Sequence, residues 1–248
     1  MNSEKRRLDL VLVERGLAPT RARAQGAIRA GHVRVGGKPA AKPADLVDAA
    51  DEIELTAPEH PYVSRGALKL RHALDCFGLD PAGRTCLDLG ASTGGFTQVL
   101  LQHGAASVVA VDVGHGQLAP EIASDARVRA IEGMNVKDLT RAIVPERIEF
   151  IVADLSFIGL AKALPAALAL AEPGAPLVAL IKPQFEVGPE NVGKGGIVRD
   201  IALHEKVCDR ISRWLENEMN WRVLGIVPSP IEGGDGNREF LLAACHDR

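Results

Sequence analysis

The chain has 248 residues, is 46% hydrophobic and 25% charged, and so resembles an average soluble globular protein with an easily supplied core. Its longest apolar region, FIGLAKALPAALALAEPGAPLVALI, is interrupted by Lys162, Pro165, Glu172, Pro173 and Pro176, which excludes a transmembrane helix, and the charged start MNSEKRRLDL lacks the apolar stretch of a signal peptide. The net charge of −3 hides an asymmetry: residues 1–42 carry ten basic and three acidic side chains, a basic head on an acidic body that suits a polyanionic partner.

Leu8, Val11 and Leu12 recur at helical spacing, and Gly16 stops that helix. Thr20 is a suitable N-cap for a second helix ending at Gly31, on which Arg21, Gln25 and Arg29 form one polar stripe. In HVRVGGKPA, Val33 and Val35 alternate before Gly36-Gly37, a hairpin turn signal. The strand DEIEL closes this unit near Leu55, and TAPEHP, residues 56–61, reads as a linker. Together these elements predict a small α+β domain over residues 1–55. The stretch RLDLVLVERGLAPTRARAQGAIRAGHVRVGGK resembles the S-four-type RNA-binding domain. That resemblance implies RNA contacts from the second helix and the hairpin loop. The candidates are Arg6, Arg7, Arg21, Arg23, Arg29, Arg34 and Lys38, with Arg65 just past the linker.

Residues 62–248 predict a second domain of alternating strands and helices. SRGALKLRHALDCFG reads as a helix capped by Ser64, with Leu70, Leu74 and Phe77 on one face and Arg65, Lys69 and His72 on the opposite one. Buried-looking strands follow in RTCLDLG, SVVAVDV, IEFIVADLS, PLVALIKP, WRVLGIVPS and REFLLAAC. Helical segments between most of them predict a largely parallel α/β sheet covered on both faces. The last two strands are joined by PIEGGDGN without a helix, so the sheet is expected to end with an antiparallel strand. The four cysteines form no CxxC pair and are expected to be buried free thiols in a reducing cytosol. No metal site is expected.

Ligands of such sheets bind beyond the carboxyl ends of the strands. The first strand delivers Asp88 and the turn Gly90-Ala91-Ser92-Thr93-Gly94-Gly95, followed by Phe96; the second delivers Asp112, 22 residues after Gly90, where a carboxylate accepts ribose hydroxyls. NAD and S-adenosylmethionine both fit that much. Ser92 stands where a dinucleotide fingerprint needs its second glycine, and the terminal antiparallel hairpin suits a seven-stranded methyltransferase sheet, so S-adenosylmethionine is favoured. Lys69, Asp154, Lys182 and Glu239 aim at one cleft, and their charge balance suits proton abstraction from a poor acid such as a ribose 2′-hydroxyl.

The stretches YVSRGALKL, CLDLGASTGGFT, ADLSFI, IKPQFEVG, GKGGIVRD and GNREFLL resemble the FtsJ/RrmJ class of RNA 2′-O-methyltransferases, and the whole chain resembles the TlyA family, also known as haemolysins. The resemblance implies a Rossmann-like class I methyltransferase domain and a catalytic tetrad of Lys69, Asp154, Lys182 and Glu239. It further implies S-adenosylmethionine as cofactor and cytidine 2′-hydroxyls of ribosomal RNA, free or in a subunit, as substrate. Some members of the family modify both ribosomal subunits and shorter ones only the large subunit; the short extensions outside the two domains resemble the shorter type, so the large subunit is the expected substrate, with the small subunit as the alternative addition. The linker EHPYVSRG lacks the Arg-Trp pair of some members. A cytoplasmic monomer is expected. A membrane-active haemolysin, a vestigial RNA-binding assembly factor and an NAD oxidoreductase are the competing readings; the absent span, the complete tetrad and Ser92 respectively disfavour them.

Overall fold

The structure, a computed structural model, describes residues 5–18, 21–29, 31–48, 50–56 and 61–246, without the side chains of Ala22 and Arg23. Thr20 and most of the expected linker, residues 57–60, lie outside the described residues, as does the side chain of Arg23. The chain divides into two compact units, Met1–Arg65 and Gly66–Arg248.

In the first unit β1 (Arg6–Arg7) leads into α1 (Leu8–Glu14), then α2 (Arg21–Arg29), β2 (Val33–Val35), β3 (Lys38–Pro39), β4 (Leu46–Val47) and β5 (Ile53–Leu55). β1 pairs with β4, and β2 lies between β3 and β5, all antiparallel. Both residues of the β2–β3 turn, Gly36 and Gly37, have positive φ (55° and 75°), the conformation a two-residue hairpin of this twist requires. Leu8, Val11 and Leu12 project from α1 into a core shared with Ala24, Ile28, Val33 and Val47. Burying such a side chain contributes about 1.5–3 kcal/mol.

The second unit runs α3 (Gly66–Phe77), β6 (Thr85–Leu89), α4 (Gly95–Gln102), β7 (Ser107–Val111), α5 (Pro120–Ala123), β8 (Val128–Ile131), β9 (Phe150–Ala153), α6 (Leu160–Ala163), α7 (Pro165–Leu168), β10 (Pro176–Ile181), α8 (Ile201–Asn217), β11 (Trp221–Pro228) and β12 (Phe240–His246). The strands form one seven-stranded sheet in the order β11-β12-β10-β9-β6-β7-β8. β6 to β10 are mutually parallel, and β12 is antiparallel to both its neighbours. β9 and β10 are buried at every position, because both faces of the sheet are covered.

Three expectations change here. The antiparallel strand does not close the sheet: β12 inserts between β10 and β11, leaving β11 at the edge. The hairpin folds back on that side because β10 offers a free edge there. The sheet's other edge is β8, whose sequence VRAI is half-exposed and broken by Arg129, so it lacks the apolar run of a buried strand. Cys76 is exposed on α3, whereas only Cys86 is fully buried; all four thiols are free.

β6 pairs with β7 on one side and β9 on the other, so the chain direction across the sheet reverses beside β6. In open α/β sheets, ligands bind beyond the carboxyl ends of the strands at such a point.

Candidate active site

The turn after β6 needs its glycines for steric reasons. Gly90 has φ 83°, and a Cβ there would stand 2.6 Å from the carbonyl oxygen of Asp154. Gly94 has φ 94° at the N-cap of α4, and its Cβ would stand 3.0 Å from Ile122 Cγ2. Ser92 adopts φ 48°, uncommon for a residue with a side chain. Its backbone N–H donates to Asp112 Oδ2 at 2.8 Å, while Gly114 N–H donates to Asp112 Oδ1 at 2.7 Å. Asp112 therefore joins the turn after β6 to the loop after β7, and each of its oxygens retains a lone pair for a further donor. Ser92 Oγ lies 3.3 Å from Gln117 Oε1, and the Thr93 carbonyl accepts from Ala119 N–H. Gly95 and Phe96 are buried in the first turn of α4.

Asp88, at the end of β6, is fully buried. Its Oδ2 accepts from Thr97 Oγ1 at 2.6 Å, and its Oδ1 has no partner among the described residues. Burial pushes the carboxyl up to about 7, although the Thr97 hydroxyl opposes the shift.

The four charged residues form two ion pairs. Lys182 Nζ lies 2.6 Å from Asp154 Oδ1 and donates to Ser156 Oγ at 2.9 Å. Lys69 Nζ lies 2.5 Å from Glu239 Oε2. Strand register brings the pairs to one end of the sheet: Ile181 faces Phe240 across β10 and β12, so Lys182 and Glu239 flank that last rung. Asp154 continues β9, and its carbonyl meets the close approach of Gly90. Lys69, which the helical wheel sets opposite Leu70 and Leu74, is 7% exposed, because α3 packs against α4 and against β11 and β12. Phe77, which the wheel turns inward, is only half-buried. The helix starts at Gly66, one residue beyond the position that Ser64 would cap.

Asn237, which sequence reasoning passes over inside GNREFLL, is 1% exposed. It accepts from Val198 N–H at 2.9 Å and donates to the Gly196 carbonyl at 2.8 Å, pinning the GKGGIVRD loop beside Glu239. Gly233 packs against the same carboxylate, since a Cβ there would collide with Glu239 Oε1. An Asn in a glycine-rich loop signals a turn, and only the fold reveals its two buried partners.

In the first unit the polar stripe of α2 is reorganised around Asp9, which is wholly buried. Arg7 donates to it through Nε and Nη2 (3.0 and 2.9 Å), Arg21 through Nε (2.9 Å) and Gln25 through Nε2 (2.8 Å). These donors, Arg7 foremost, hold the Asp9 carboxyl well below the usual range against the opposing effect of burial. Arg6 pairs with Glu14. Arg29, Arg34, Lys38 and Arg65 are exposed; Arg34 donates to the Gly37 carbonyl and Arg65 to the Arg29 carbonyl, each at 3.3 Å.

A seven-stranded sheet with one reversed strand next to its edge, a glycine turn after the first strand and a carboxylate after the second define a Rossmann-like methyltransferase. The fold agrees with a solved O-methyltransferase from Bacillus cereus in complex with SAH, at 18% identity and TM-score 0.51 over 76% of this chain and 84% of that one. Residues 62–245 match the FtsJ-like methyltransferase family and residues 6–53 the S4 domain. The chain belongs to the FtsJ-like methyltransferase family, in its TlyA branch. It is 47% identical over 241 residues to the 16S/23S rRNA (cytidine-2'-O)-methyltransferase TlyA of Mycobacterium tuberculosis, covering 97% of this chain and 90% of that protein. It is 40% identical to Hemolysin A of Brachyspira hyodysenteriae, covering 95% and 98%. A solved candidate hemolysin from Streptococcus thermophilus aligns with TM-score 0.76 and 40% identity over 98% of this chain and 89% of that one. No helix among the described residues is long and apolar enough to cross a membrane.

Proposed function

We propose that the protein uses S-adenosylmethionine to methylate cytidine 2′-hydroxyls in ribosomal RNA. The pairing of Lys182 with Asp154 and of Lys69 with Glu239 at the strand ends, beside the glycine turn, is the observation that carries this reading. The residues of the turn fit the cofactor. A buried carboxylate with an unpartnered oxygen at Asp88 suits a ligand's ammonium group, and Asp112 keeps acceptor capacity for a ribose diol. Bound there, the cofactor would supply an electrophilic sulfonium methyl. The polar groups of Ser92 and Thr93 suit the methionine end, while Gly90 and Gly94 let the turn pack closely against Asp154 and Ile122.

The chain's own part in the chemistry is positioning and proton handling. A 2′-hydroxyl is a weak nucleophile, so it must be aligned and its proton accepted or directed. Lys182, held by Asp154 and Ser156, is the group assigned to that task. Glu239, paired with Lys69, holds the substrate side. Residues 1–55 provide RNA affinity through exposed Arg29, Arg34 and Lys38, with residues 62–248 forming the catalytic domain and residues 56–61 the linker between them. Arg6, Arg7 and Arg21 contribute their remaining N–H groups, and Arg23 and Arg65 extend the basic set. Such contacts to phosphates act by counterion release.

Both a 16S/23S enzyme of Mycobacterium tuberculosis and a 23S rRNA (cytidine-2'-O)-methyltransferase TlyA of Campylobacter jejuni, the latter 34% identical over 77% of this chain, are relatives. The large-subunit RNA is common to both names and is the substrate assigned here. On this reading the protein acts in the cytoplasm, where that RNA is, and as a monomer. Mapping 2′-O-methylcytidine on 16S and 23S RNA from cells with and without the gene tests the reading. Loss of a 23S mark on deletion is expected. Unchanged ribose methylation on both RNAs would reject it, and loss from 16S alone would move the substrate to the small subunit.

A further inference from the structure

The ladder between β9 and β10 stops at the rung Ala153–Ala179, so no strand pairing sets the separation of Asp154 from Lys182. Backbone pairing anchors each residue to its own neighbour, Asp154 through Leu89 and Lys182 next to the Ile181–Phe240 rung, while the loops that follow are joined to each other by side chains. One end of the junction is the Lys182 contact with Asp154 and Ser156. The other end involves Glu186, four residues after Lys182 and at the C-cap of the 3₁₀ turn Pro183–Phe185. Its side chain is 5% exposed.

Glu186 Oε1 accepts from the backbone N–H of Leu160, the first residue of α6, at 2.7 Å. The N-cap of α6 is Gly159, which has no side chain to satisfy the free N–H groups of the first turn. Glu186 supplies that cap from another segment. Gly159 is matched to it: a Cβ there would stand 3.1 Å from Glu186 Oε2, tighter than an ordinary contact. Arg210 of α8 then clamps the glutamate twice, its Nη2 donating to Oε2 and to the Glu186 carbonyl, each at 2.8 Å. Between the two ends, the rings of Phe157 and Phe185 lie 5.1 Å apart.

We propose that Glu186 is a positioning residue: by tying the loop after β9 to the loop after β10 and to α8, it holds Lys182 in register with Asp154. The proposal rests on the assignment of Lys182 made above. Burial raises the Glu186 carboxyl, and the Leu160 N–H and Arg210, the same groups that form the brace, oppose the rise. The glutamate acts through Lys182 and needs no contact with substrate.

The test compares single-turnover rRNA methylation with S-adenosylmethionine and rRNA affinities in Glu186→Ala, Glu186→Gln and Arg210→Met. A displacement of about 1 Å in a reacting group can cost roughly 10²-fold. Glu186→Ala is expected to lose about 10–100-fold in rate with both affinities unchanged. Glu186→Gln, which keeps an acceptor for Leu160 N–H, is expected to recover most of the rate. Arg210→Met, the variant to rely on if Glu186→Ala does not fold, should show a smaller loss in the same direction. A folded Glu186→Ala or Arg210→Met protein with wild-type rate overturns the brace. So does cofactor affinity falling in step with rate, or a Gln variant no better than Ala. Wild-type protein that transfers no methyl group to rRNA would instead remove the functional reading and the proposal with it.

Discussion

Lys182 carries the most direct prediction at the scale of single residues. If it directs the hydroxyl proton, Lys182→Ala should lose about 10²–10⁴ in single-turnover rate while binding cofactor and RNA normally. A purely structural ion pair would behave otherwise: the variant would melt earlier but, where folded, methylate near the normal rate. Asp88 predicts a pH dependence. Its carboxyl has an ordinary value of 3.8 and is pushed up to about 7 in the folded protein. Between those values the folded state holds a proton that the unfolded state has lost. Its contribution to stability is therefore full below about pH 4, falls as pH rises towards 7, and is level beyond. Asp9 has the opposite sign and a lower window, since its depressed carboxyl loses stabilisation only as pH falls below its ordinary 3.8. Thermal melts of cofactor-free wild type and Asp88→Asn from about pH 4 to 8 separate the two. The wild type should lose melting temperature relative to the variant as pH rises to about 7; parallel curves would reject the assignment.

At the scale of elements, the glycine turn joins three strand ends through backbone contacts. Gly90→Ala puts a methyl 2.6 Å from the Asp154 carbonyl oxygen in a left-handed conformation. The strained backbone alone costs about 1–3 kcal/mol, and the displaced Asp154 should lower methylation as well as cofactor affinity. Calorimetry and a melting curve check this: a Gly90→Ala variant as stable and as tight for cofactor as wild type would contradict the packing described. Most elements were legible because their periodicities are strong. VVAV in β7 and VALI in β10 are unbroken apolar runs, and Gly36-Gly37 forces a hairpin. β8 was not legible, because an edge strand is only half-buried and Arg129 interrupts its apolar pattern. The burial of Lys69 was not legible for a related reason: a helical wheel marks only the most apolar face, and α3 packs against α4 as well as against β11 and β12.

For the whole molecule, the basic head on an acidic body predicts salt-sensitive RNA binding. Replacing Arg29, Arg34 and Lys38 together with alanine should reduce the steepness of log affinity against log salt by about 0.7–0.9 for each phosphate that is no longer neutralised. Cofactor binding should be unaffected. Filter binding from about 50 to 300 mM salt measures this, and an unchanged slope would remove these residues from the RNA interface. The sequence by itself determined the two-part organisation, the α/β class and the glycine turn, since local periodicity and short motifs encode them, and its family resemblance singled out Lys69, Asp154, Lys182 and Glu239 as candidates. Only the tertiary structure decided how the charges pair. Lys69 meets Glu239 across 170 residues of chain, and Asp9 draws in Arg7 and Arg21, which composition had counted as free positive charge. It also decided the insertion of β12 between β10 and β11, and the capping of α6 by Glu186. Spacing along a chain specifies which side chains share a face of one element, but a partner for a buried charge is chosen by which elements pack together.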